Sequence, residues 1–530
     1  MKQGRWRFAV AAVVTTVALA GCGSGGNDGE SKPPGATPAA SATGEGSGKD
    51  ELTVAIAAQE FESLDPQMQA SPPTDSVTRQ IYETLVTLKD GEIEPLLATA
   101  WRNPSPEEWE FDIREGVTFH DGATLDAAAV ETSFRRMLDP KNERTRSSEY
   151  GNVDSVEAVD EDTVRFKLKE VWPSFLHALA YTSGVIVSPK AIETYGDKVD
   201  QHPAGTGPYQ FDKTGSGGAV ELTAYDGYWG EPAQVKRLRL TPVVADNTRL
   251  LMLKSGQADI ITGLPASSVG EVEQDGKLQL VATDGGLVMH IGLNTTYKPL
   301  SDVRVRQALN HAVDQQALVD SLLAGRAEVA DSYLASTTVG HRASAGYEYD
   351  PAKAKELLAQ AGYGSGFPLK IAVPTGRYAM AKETAEAVQG YLEAVGVKAT
   401  LETMDFGAEI DAITRPKDEN RVQAYLLGWQ AATGEPALVS RIVFHSKQWP
   451  PDGWNTMFYA SDEADRLIDE AAVEADDAKR DDLYGQLQEL VVKDAPWLFL
   501  YTPQNLFAVG GGVAGVASTP DGTLLLGDVR

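Results

Sequence analysis

The sequence predicts a mixed α/β protein with several sheets. Polar and apolar residues alternate over 108–114 and 163–168, which indicates half-exposed antiparallel strands. Helices are indicated where a cap and helical spacing agree, as between Asp350-Pro351 and Gly362. Because these elements intermingle without a fixed repeat, a bundle and a sandwich are both disfavoured. At 530 residues the chain is long enough for two or three domains.

The ordered part of the chain is expected to begin near residue 52. Leu52–Ile56 is predicted to be the first strand, because it alternates and is rich in β-branched residues. Asp302 is expected to cap one continuous helix that closes at Gly325, since apolar residues recur on one side through Leu322. The remaining predictions are a helix over 383–395, a strand over 397–401 and a helix capped by Ser461.

The amino-terminal 21 residues have the pattern of a secretory signal. Three basic residues precede an uncharged run over 8–20, which is too short for a bilayer-spanning helix of about 20 residues. Leu19-Ala20-Gly21 then leads to Cys22, the chain's single cysteine. This is the lipobox pattern of bacterial lipoproteins, in which Cys22 is acylated; an ordinary signal with an incidental cysteine is the alternative. Residues 22–50, rich in Gly, Ser and Pro, are expected to form a flexible tether.

The charge balance excludes some partners. The formal net charge is −29 at pH 7, and nucleic-acid binding needs a basic footprint that this chain lacks. Anionic headgroups would not attract such a chain either, so membrane attachment is expected to depend on the lipid at Cys22. With one cysteine, the chain has no disulfide and no CxxC site.

Motifs for catalysis and metal binding are missing. The sequence contains no HExxH, no G-x-x-x-x-G-K-[ST] and no G-x-S-x-G. No two of the seven histidines stand three to five residues apart, so no local zinc clamp is expected. We therefore expect no enzyme activity, no catalytic residue, no cofactor and no metal.

Several longer strings carry a family resemblance. The most specific, residues 109–122, reads W-E-F-D-I-R-E-G-V-T-F-H-D-G. Others follow in order: G-T-G-P-Y at 205–209, Y-W-G at 228–230, L-K-S-G-Q-A-D-I at 253–260 and D-V-R-V-R-Q-A at 302–308. Together they resemble the family 5 extracytoplasmic solute-binding proteins, the oligopeptide, dipeptide and nickel-chelate receptors of ABC importers.

The resemblance implies a two-lobed, periplasmic-binding-protein-like α/β fold (type II, cluster C), with an extra sub-domain and a hinged interlobe cleft. Solute bound between the lobes would stabilise the closed form, which the permease reads. It also implies a monomer on the extracytoplasmic face of the cell membrane, with permease and ATPase subunits as partners. The implied divisions are lobe I at 51–91, 203–290 and 497–530, the sub-domain at 92–202 and lobe II at 291–496.

The family lines its cleft with a G-W-x-x-D-like segment whose acid takes the α-ammonium group of a peptide. Residues 428–432 match the glycine and Trp429, but Ala432 stands where the acid is expected. A buried ammonium without a partner costs several kcal/mol, so another acid is needed. Glu435 is the candidate replacement, and its T-G-E string resembles the glutathione-type branch; a solvated loop acid is the alternative.

Three further residues are candidates for binding the solute. Arg377, in a turn after a strand, is expected to grip a carboxylate, and Tyr378 to stack or donate a hydrogen bond. Phe61 follows the first strand and could wall the site. The plainer alternatives are a surface arginine and core packing for Phe61.

The resemblance implies a peptide or peptide-like solute as the cargo. Within the same fold, a nickel-metallophore or an oligosaccharide is the alternative, and His445 is the first histidine to test for nickel. A signalling lipoprotein that has lost transport is the alternative from another class.

Overall fold

The computed structural model describes residues 48–89, 91–141, 144–431 and 434–530. The predicted leader, Cys22 and most of the predicted tether lie outside these residues, as does Ala432. Within the described ranges, no helix combines the length and the apolar character needed to cross a bilayer.

The first sheet has seven strands and is built around Glu51–Ile56, so the prediction of a strand over 52–56 is confirmed. This strand lies parallel to its two neighbours, and antiparallel strands extend the sheet to both edges. Its buried side chains, such as Leu52 and Val54, form a core with the helix Pro72–Ile81. The strand order is Leu278–Thr283, Asn505–Gly510, Ile260–Ile261, Glu51–Ile56, Arg237–Pro242, Val220–Ala224 and Tyr209–Thr214.

The second sheet has six strands, and three of them run parallel. Pro368–Thr375 lies between Lys398–Asp405 and Ala424–Gln430 and is parallel to both. The central strands are buried along most of their length because helices cover both faces. The strand order is Ala327–Val329, Trp497–Pro503, Leu287–Leu293, Ala424–Gln430, Pro368–Thr375 and Lys398–Asp405.

A third, antiparallel sheet of four strands has its own core. Phe111, Phe134 and Phe166 pack there edge to face. The strands predicted over 108–114 and 163–168 are confirmed. The order is Ala98–Ser105, Glu108–Ile113, Thr163–Leu168 and Val153–Ala158. Two small hairpins complete the strands, Val86–Lys89 with Glu92–Pro95 and Ala517–Ser518 with Leu524–Leu525.

The helices follow their predicted caps with one correction. A single helix from Asp302 to Gly325 is wrong: the chain leaves the helix at Val313, and Asp314 accepts a hydrogen bond from Ala317 N to cap a second one. The helices predicted after Asp350, over 383–395 and after Ser461 are confirmed within a few residues. The α-helices are Pro72–Ile81, Ala127–Leu138, Phe175–Ala180, Pro189–Tyr195, Asp246–Ser255, Val269–Gln274, Val303–Ala312, Gln315–Leu322, Pro351–Gln360, Ala381–Ala394, Phe406–Ile413, Pro436–Val439, Asp462–Val473 and Asp477–Asp494.

The chain passes between the first and second sheets at two adjacent places, 284–286 and Gln504. Thr283 pairs with Asn505 on the first sheet, and Leu287 pairs with Gln430 on the second. The crossings therefore lie four to six residues before the expected lobe boundary at 290 and eight residues after the one at 496. The division into lobes and sub-domain at the expected residues stays a prediction.

Candidate functional site

The carboxyl ends of the three parallel strands meet at one edge of the second sheet. Thr375, Asp405 and Gln430 are their last residues, and ligands in open α/β sheets gather at such ends. Gln430 pairs with Leu287, which directly follows the crossing at 284–286. This edge therefore adjoins the first sheet, and the aromatic residues Tyr378, Phe406, Trp429 and Trp454 that gather here are called the aromatic wall below.

Trp429 is half-buried and lies at the centre of the aromatic wall. Gly428 precedes it because a Cβ at that position would lie 2.9 Å from the side chains of Leu287 and Met289. The Trp429 ring lies 5.7 Å from that of Trp454, centroid to centroid, and Trp454 is 39% exposed. The pair offers an apolar surface with indole N–H donors, which suits the body of an organic solute.

A small cavity of about 10 Å³ lies behind Trp429 and is also neutral in character. His290 and Trp497 line it, and their rings stack with centroids 3.5 Å apart. Burial lowers the pKa of His290 to about 3, so its ring is uncharged near neutral pH. The cavity behind Trp429 is therefore lined by aromatic and other uncharged side chains.

Arg377 and Tyr378 lie at the same end of the second sheet as Trp429, as the prediction of a shared site requires. The Tyr378 hydroxyl donates to the Gly428 carbonyl at 3.5 Å. The exposed Arg377 guanidinium lies 5.2 Å from the Phe406 ring centroid and 5.6 Å from that of Tyr378. No described acid forms an ion pair with it, so its donors face solvent at the end of the sheet.

Glu435 is buried, so its alternative reading as a solvated loop acid is wrong. Its side chain is 6% exposed, and one carboxylate oxygen accepts from Ala437 N at 2.6 Å, capping the short helix Pro436–Val439. Burial and then the charge of Glu435 raise the pKa of Tyr484. The carboxylate thus has a structural role in the fold, and its role toward a solute stays a prediction.

Phe61 does not lie with the other candidates. It lines a cavity of about 830 Å³ at the outer edge strand of the first sheet, Tyr209–Thr214, together with residues such as Tyr195 and His202. None of the lining residues belongs to the second sheet. Phe61 also packs against the core of the first sheet, which agrees with its plainer reading.

His445 is buried with both ring nitrogens engaged. Nε2 lies 3.2 Å from an Asp469 carboxylate oxygen, and Nδ1 accepts from Lys447 N at 3.0 Å. In the ranges that the structure describes, no three His, Cys, Asp or Glu side chains are grouped to hold a metal ion. A role for His445 toward nickel stays a prediction.

A charged cluster that the sequence did not reveal lies on the other side of the crossing. A chain of hydrogen bonds leads to it: Gly286 N donates to the Pro520 carbonyl at 2.8 Å, and Leu524, in the same hairpin, bonds to Ser76 and Gln80. Ser76 and Gln80 belong to the helix Pro72–Ile81. The cluster comprises Asp75, Arg79, Arg146, Tyr181 and Asp521, and it is called the arginine cluster below.

Arg146 and Arg79 differ sharply within this cluster. Arg146 donates to the Asp75 carboxylate at 2.7 Å, and both side chains are almost fully buried. Arg79 makes no hydrogen bond or ion pair with any described residue, and its Nη1 is buried. Burial lowers the pKa of Arg79, while the charges of Asp75, Glu83 and Asp521 oppose that shift. Asp75 and Glu83 stand four residues away on either side, a spacing at which helix-surface arginines commonly form ion pairs.

One close approach and one electrostatic effect relate segments that follow the second sheet's strand Ala424–Gln430 to the rest of the molecule. A Cβ at Gly434 would lie 3.2 Å from Leu88 Cδ2, in the hairpin that follows the helix Pro72–Ile81. His177, on the helix Phe175–Ala180, lies within reach of the charges of Arg480 and Asp477; burial first, and then Arg480, lowers its pKa to about 4. The loop that follows Trp429 therefore contacts the hairpin that follows the helix of Arg79.

Comparison with known proteins identifies the family. The model of the middle region of the bacterial extracellular solute-binding proteins, family 5, matches residues 92–451. The chain belongs to this family. The glutathione-binding protein GsiB of Salmonella typhimurium is 32% identical over 478 residues, which cover 89% of this chain and 92% of that protein.

Two solved structures share the fold. HbpA2 from Haemophilus parasuis superposes with a TM-score of 0.81 at 28% identity, covering 91% of this chain and 99% of that one. The periplasmic binding protein DppA from Helicobacter pylori, solved with the peptide STSA, gives 0.71 at 27% identity, covering 90% and 98%. The predicted two-lobed periplasmic-binding-protein-like α/β fold is confirmed. The protein is a solute-binding component of an ABC importer and not an enzyme.

Proposed function

We propose that this protein captures a peptide or a peptide-like solute of about glutathione size and delivers it to a membrane permease. The observation that supports the proposal is the aromatic wall, which adjoins the crossing between the sheets, with a charged cluster on the first-sheet side of the same crossing. The likeness to GsiB, a glutathione-binding protein, supports the small peptide-like class. The T-G-E string at 433–435, directly after the Trp429 segment, agrees with it.

In the proposed complex the solute lies between the two sheets. Trp429 and Trp454 stack on its body, because aromatic faces accept varied groups. Arg377 takes a carboxylate or carbonyl oxygen from the solvent side, and Tyr378 holds the end of the strand beside Trp429. The crossings at 284–286 and Gln504 act as the hinge, and the solute favours the closed form by contacting both sides.

The protein acts as a monomer anchored on the extracytoplasmic face of the cell membrane. The lipid is attached at Cys22, and residues 22–50 serve as the tether. The permease and its ATPase subunits receive the closed form. Labelling of cells with a palmitate analogue tests the anchor: the wild type should be labelled and retained with membranes, and Cys22→Ser should be neither.

Native mass spectrometry and thermal unfolding test the solute class. Reduced glutathione, oxidised glutathione and a panel of tripeptides should include at least one probe that adds its mass to the protein. That probe should also raise Tm as its concentration rises above Kd. Absence of any shift across the whole panel contradicts the proposal. A Tm shift with nickel–histidine or with an oligosaccharide instead would assign another cargo to the same fold. Unchanged uptake of the labelled solute after gene deletion would indicate a signalling role.

A further inference from the structure

The guanidinium N–H donors of Arg79 have no hydrogen-bond acceptor among the described residues. Removing a cation from water costs several kcal/mol unless hydrogen bonds replace the lost hydration. The Nη1 atom of Arg79 is buried, yet no acceptor within the described chain bonds to it. The residue as a whole stays partly exposed, so a small molecule can reach the remaining nitrogens.

The acids around Arg79 are committed to other donors. Asp75 accepts from Arg146 and from Gln69. Asp521 accepts from the Tyr181 hydroxyl at 2.9 Å and from Thr523 N at 3.0 Å. Their charges favour the protonated guanidinium without binding it directly.

Glu83, the third acid whose charge acts on Arg79, is held in the same way. Its two carboxylate oxygens accept from the Thr206 hydroxyl, the Tyr228 hydroxyl and the Trp229 indole at 2.8 to 2.9 Å. A small rotation of Arg79 toward Glu83 would therefore compete with three existing hydrogen bonds. The cluster therefore holds the charged Arg79 in place and leaves its guanidinium nitrogens available to an incoming hydrogen-bond acceptor.

A series of hydrogen bonds and one strand pair connects the helix of Arg79 to the aromatic wall. Helix Pro72–Ile81 bonds to Leu524, the hairpin of Leu524 bonds to Gly286 through Pro520, and Leu287 pairs with Gln430 beside Trp429. Arg79 thus lies on the first-sheet side of the crossing that the aromatic wall adjoins. A solute that lies between the sheets and contacts Trp429 would therefore extend toward the side on which Arg79 lies.

We propose that Arg79 binds a carboxylate group of the solute, and this inference rests on the proposed function. A guanidinium fork matches a carboxylate with two parallel hydrogen bonds. Every free peptide, and glutathione, carries at least one such group. The aromatic wall then holds the body of the solute, and Arg79 selects for its negative end over an ester or an amide.

Calorimetric titration with glutathione and with its diethyl ester, in which both carboxylates are esterified, tests the inference. The wild type should bind glutathione about 10- to 100-fold more tightly than the diester, the range expected for a hydrogen-bonded charge pair. Arg79→Gln should lose most of that difference, and Arg79→Lys should keep part of it. The control is Arg135→Gln, which removes an exposed arginine paired with Glu131 on the third-sheet helix and should bind as the wild type does.

The unfolding temperature without solute separates binding from a structural role. Arg79 has no partner to lose within the described residues, so Arg79→Gln should unfold at the wild-type temperature or higher. A lower temperature with unchanged discrimination between glutathione and diester means that Arg79 is structural, and the inference is wrong. If the wild type binds neither glutathione nor any tripeptide, the proposed function itself fails and this inference with it.

Discussion

The two sides of the crossing present different kinds of group. The aromatic wall of the second sheet offers rings of Trp429, Trp454 and Tyr378, with the neutral His290 behind them. The arginine cluster on the first-sheet side is charged, and its acids are fixed by several donors each. Rings accept many solutes, whereas a fixed charge selects by sign and position. We expect the second sheet to supply breadth of recognition and the first sheet to supply most of the charge requirement, with the exposed Arg377 adding little.

Removing Arg146 should have the largest effect on stability. In Arg146→Gln the buried Asp75 carboxylate loses its cation, so the free energy of unfolding should fall by about 3–5 kcal/mol. Urea unfolding measures the loss. Arg79→Gln is the matched comparison, since it removes the unpaired arginine of the same cluster and should cost nothing. Equal losses in the two variants would contradict the conclusion that Arg146 is paired and Arg79 is unpaired.

Glu409 makes the stability of the fold depend on pH. It is fully buried on the helix Phe406–Ile413 with neither oxygen bonded to a described residue, and burial raises its pKa to about 8. Between its unfolded pKa, about 4.5, and about 8, the native state holds a proton that the unfolded chain has lost. Stability therefore falls as pH rises through this window and levels off above it.

The Glu409→Gln variant isolates that contribution. Its advantage over the wild type should be about 2–4 kcal/mol larger at pH 8.5 than at pH 4.5, measured by urea unfolding at both values. The substituted amide cannot ionise, so the variant should lack this part of the pH dependence. If the wild type and the variant show the same change with pH, the carboxyl is not held neutral by burial.

Trp429→Ala should weaken solute binding more than it weakens the fold. Loss of one stacked indole is expected to cost about 1–3 kcal/mol of binding, or roughly 10- to 100-fold in Kd. The control is Trp109→Ala, which removes a ring packed on Phe111 and Phe175 in the third sheet's core. That change should lower Tm and leave Kd unaltered. An equal loss of affinity in both variants would show that Trp429 does not contact the solute.

Arg377→Gln should give the smallest effect. The side chain is exposed, so its attraction for a solute carboxylate is screened and worth less than about 1 kcal/mol. Kd should rise by no more than about fivefold at low salt, and the difference should vanish at about 0.5 M salt. A larger, salt-independent loss would place Arg377, rather than Arg79, as the main carboxylate partner.

Sequence reasoning found the elements with local signals. Alternation located the strands at 52–56, 108–114 and 163–168, and side-chain caps located the helix starts at Asp302, Asp350 and Ser461. It missed the break at Val313 because apolar spacing continues across it, although Asp314 was available as a cap. Local pattern therefore identifies elements better than it identifies where one ends inside an apolar run.

Only part of the candidate site could be predicted from the sequence. Trp429, Arg377 and Tyr378 lie at one end of the sheet because the ends of parallel strands meet there. The family string had indicated Trp429, and the turn after a strand had indicated Arg377 and Tyr378. Arg79 could not be found this way: its isolation depends on Arg146, Tyr181 and Thr206 occupying the nearby acids from distant parts of the chain. The position of Phe61 was out of reach for the same reason, since distant residues such as His120 and Tyr195 line the cavity beside it; its role toward a solute stays a prediction.

Hydrogen–deuterium exchange with and without a saturating solute tests most directly that the solute binds between the two sides. With glutathione, or with the tripeptide that raises Tm most, amide exchange should slow in two segments at once: 424–431, beside the aromatic wall, and 519–523, the loop that joins the arginine cluster to Gly286. The third-sheet strand Glu108–Ile113 should exchange as before. Slower exchange in only one of the two segments would contradict a solute held between the sheets.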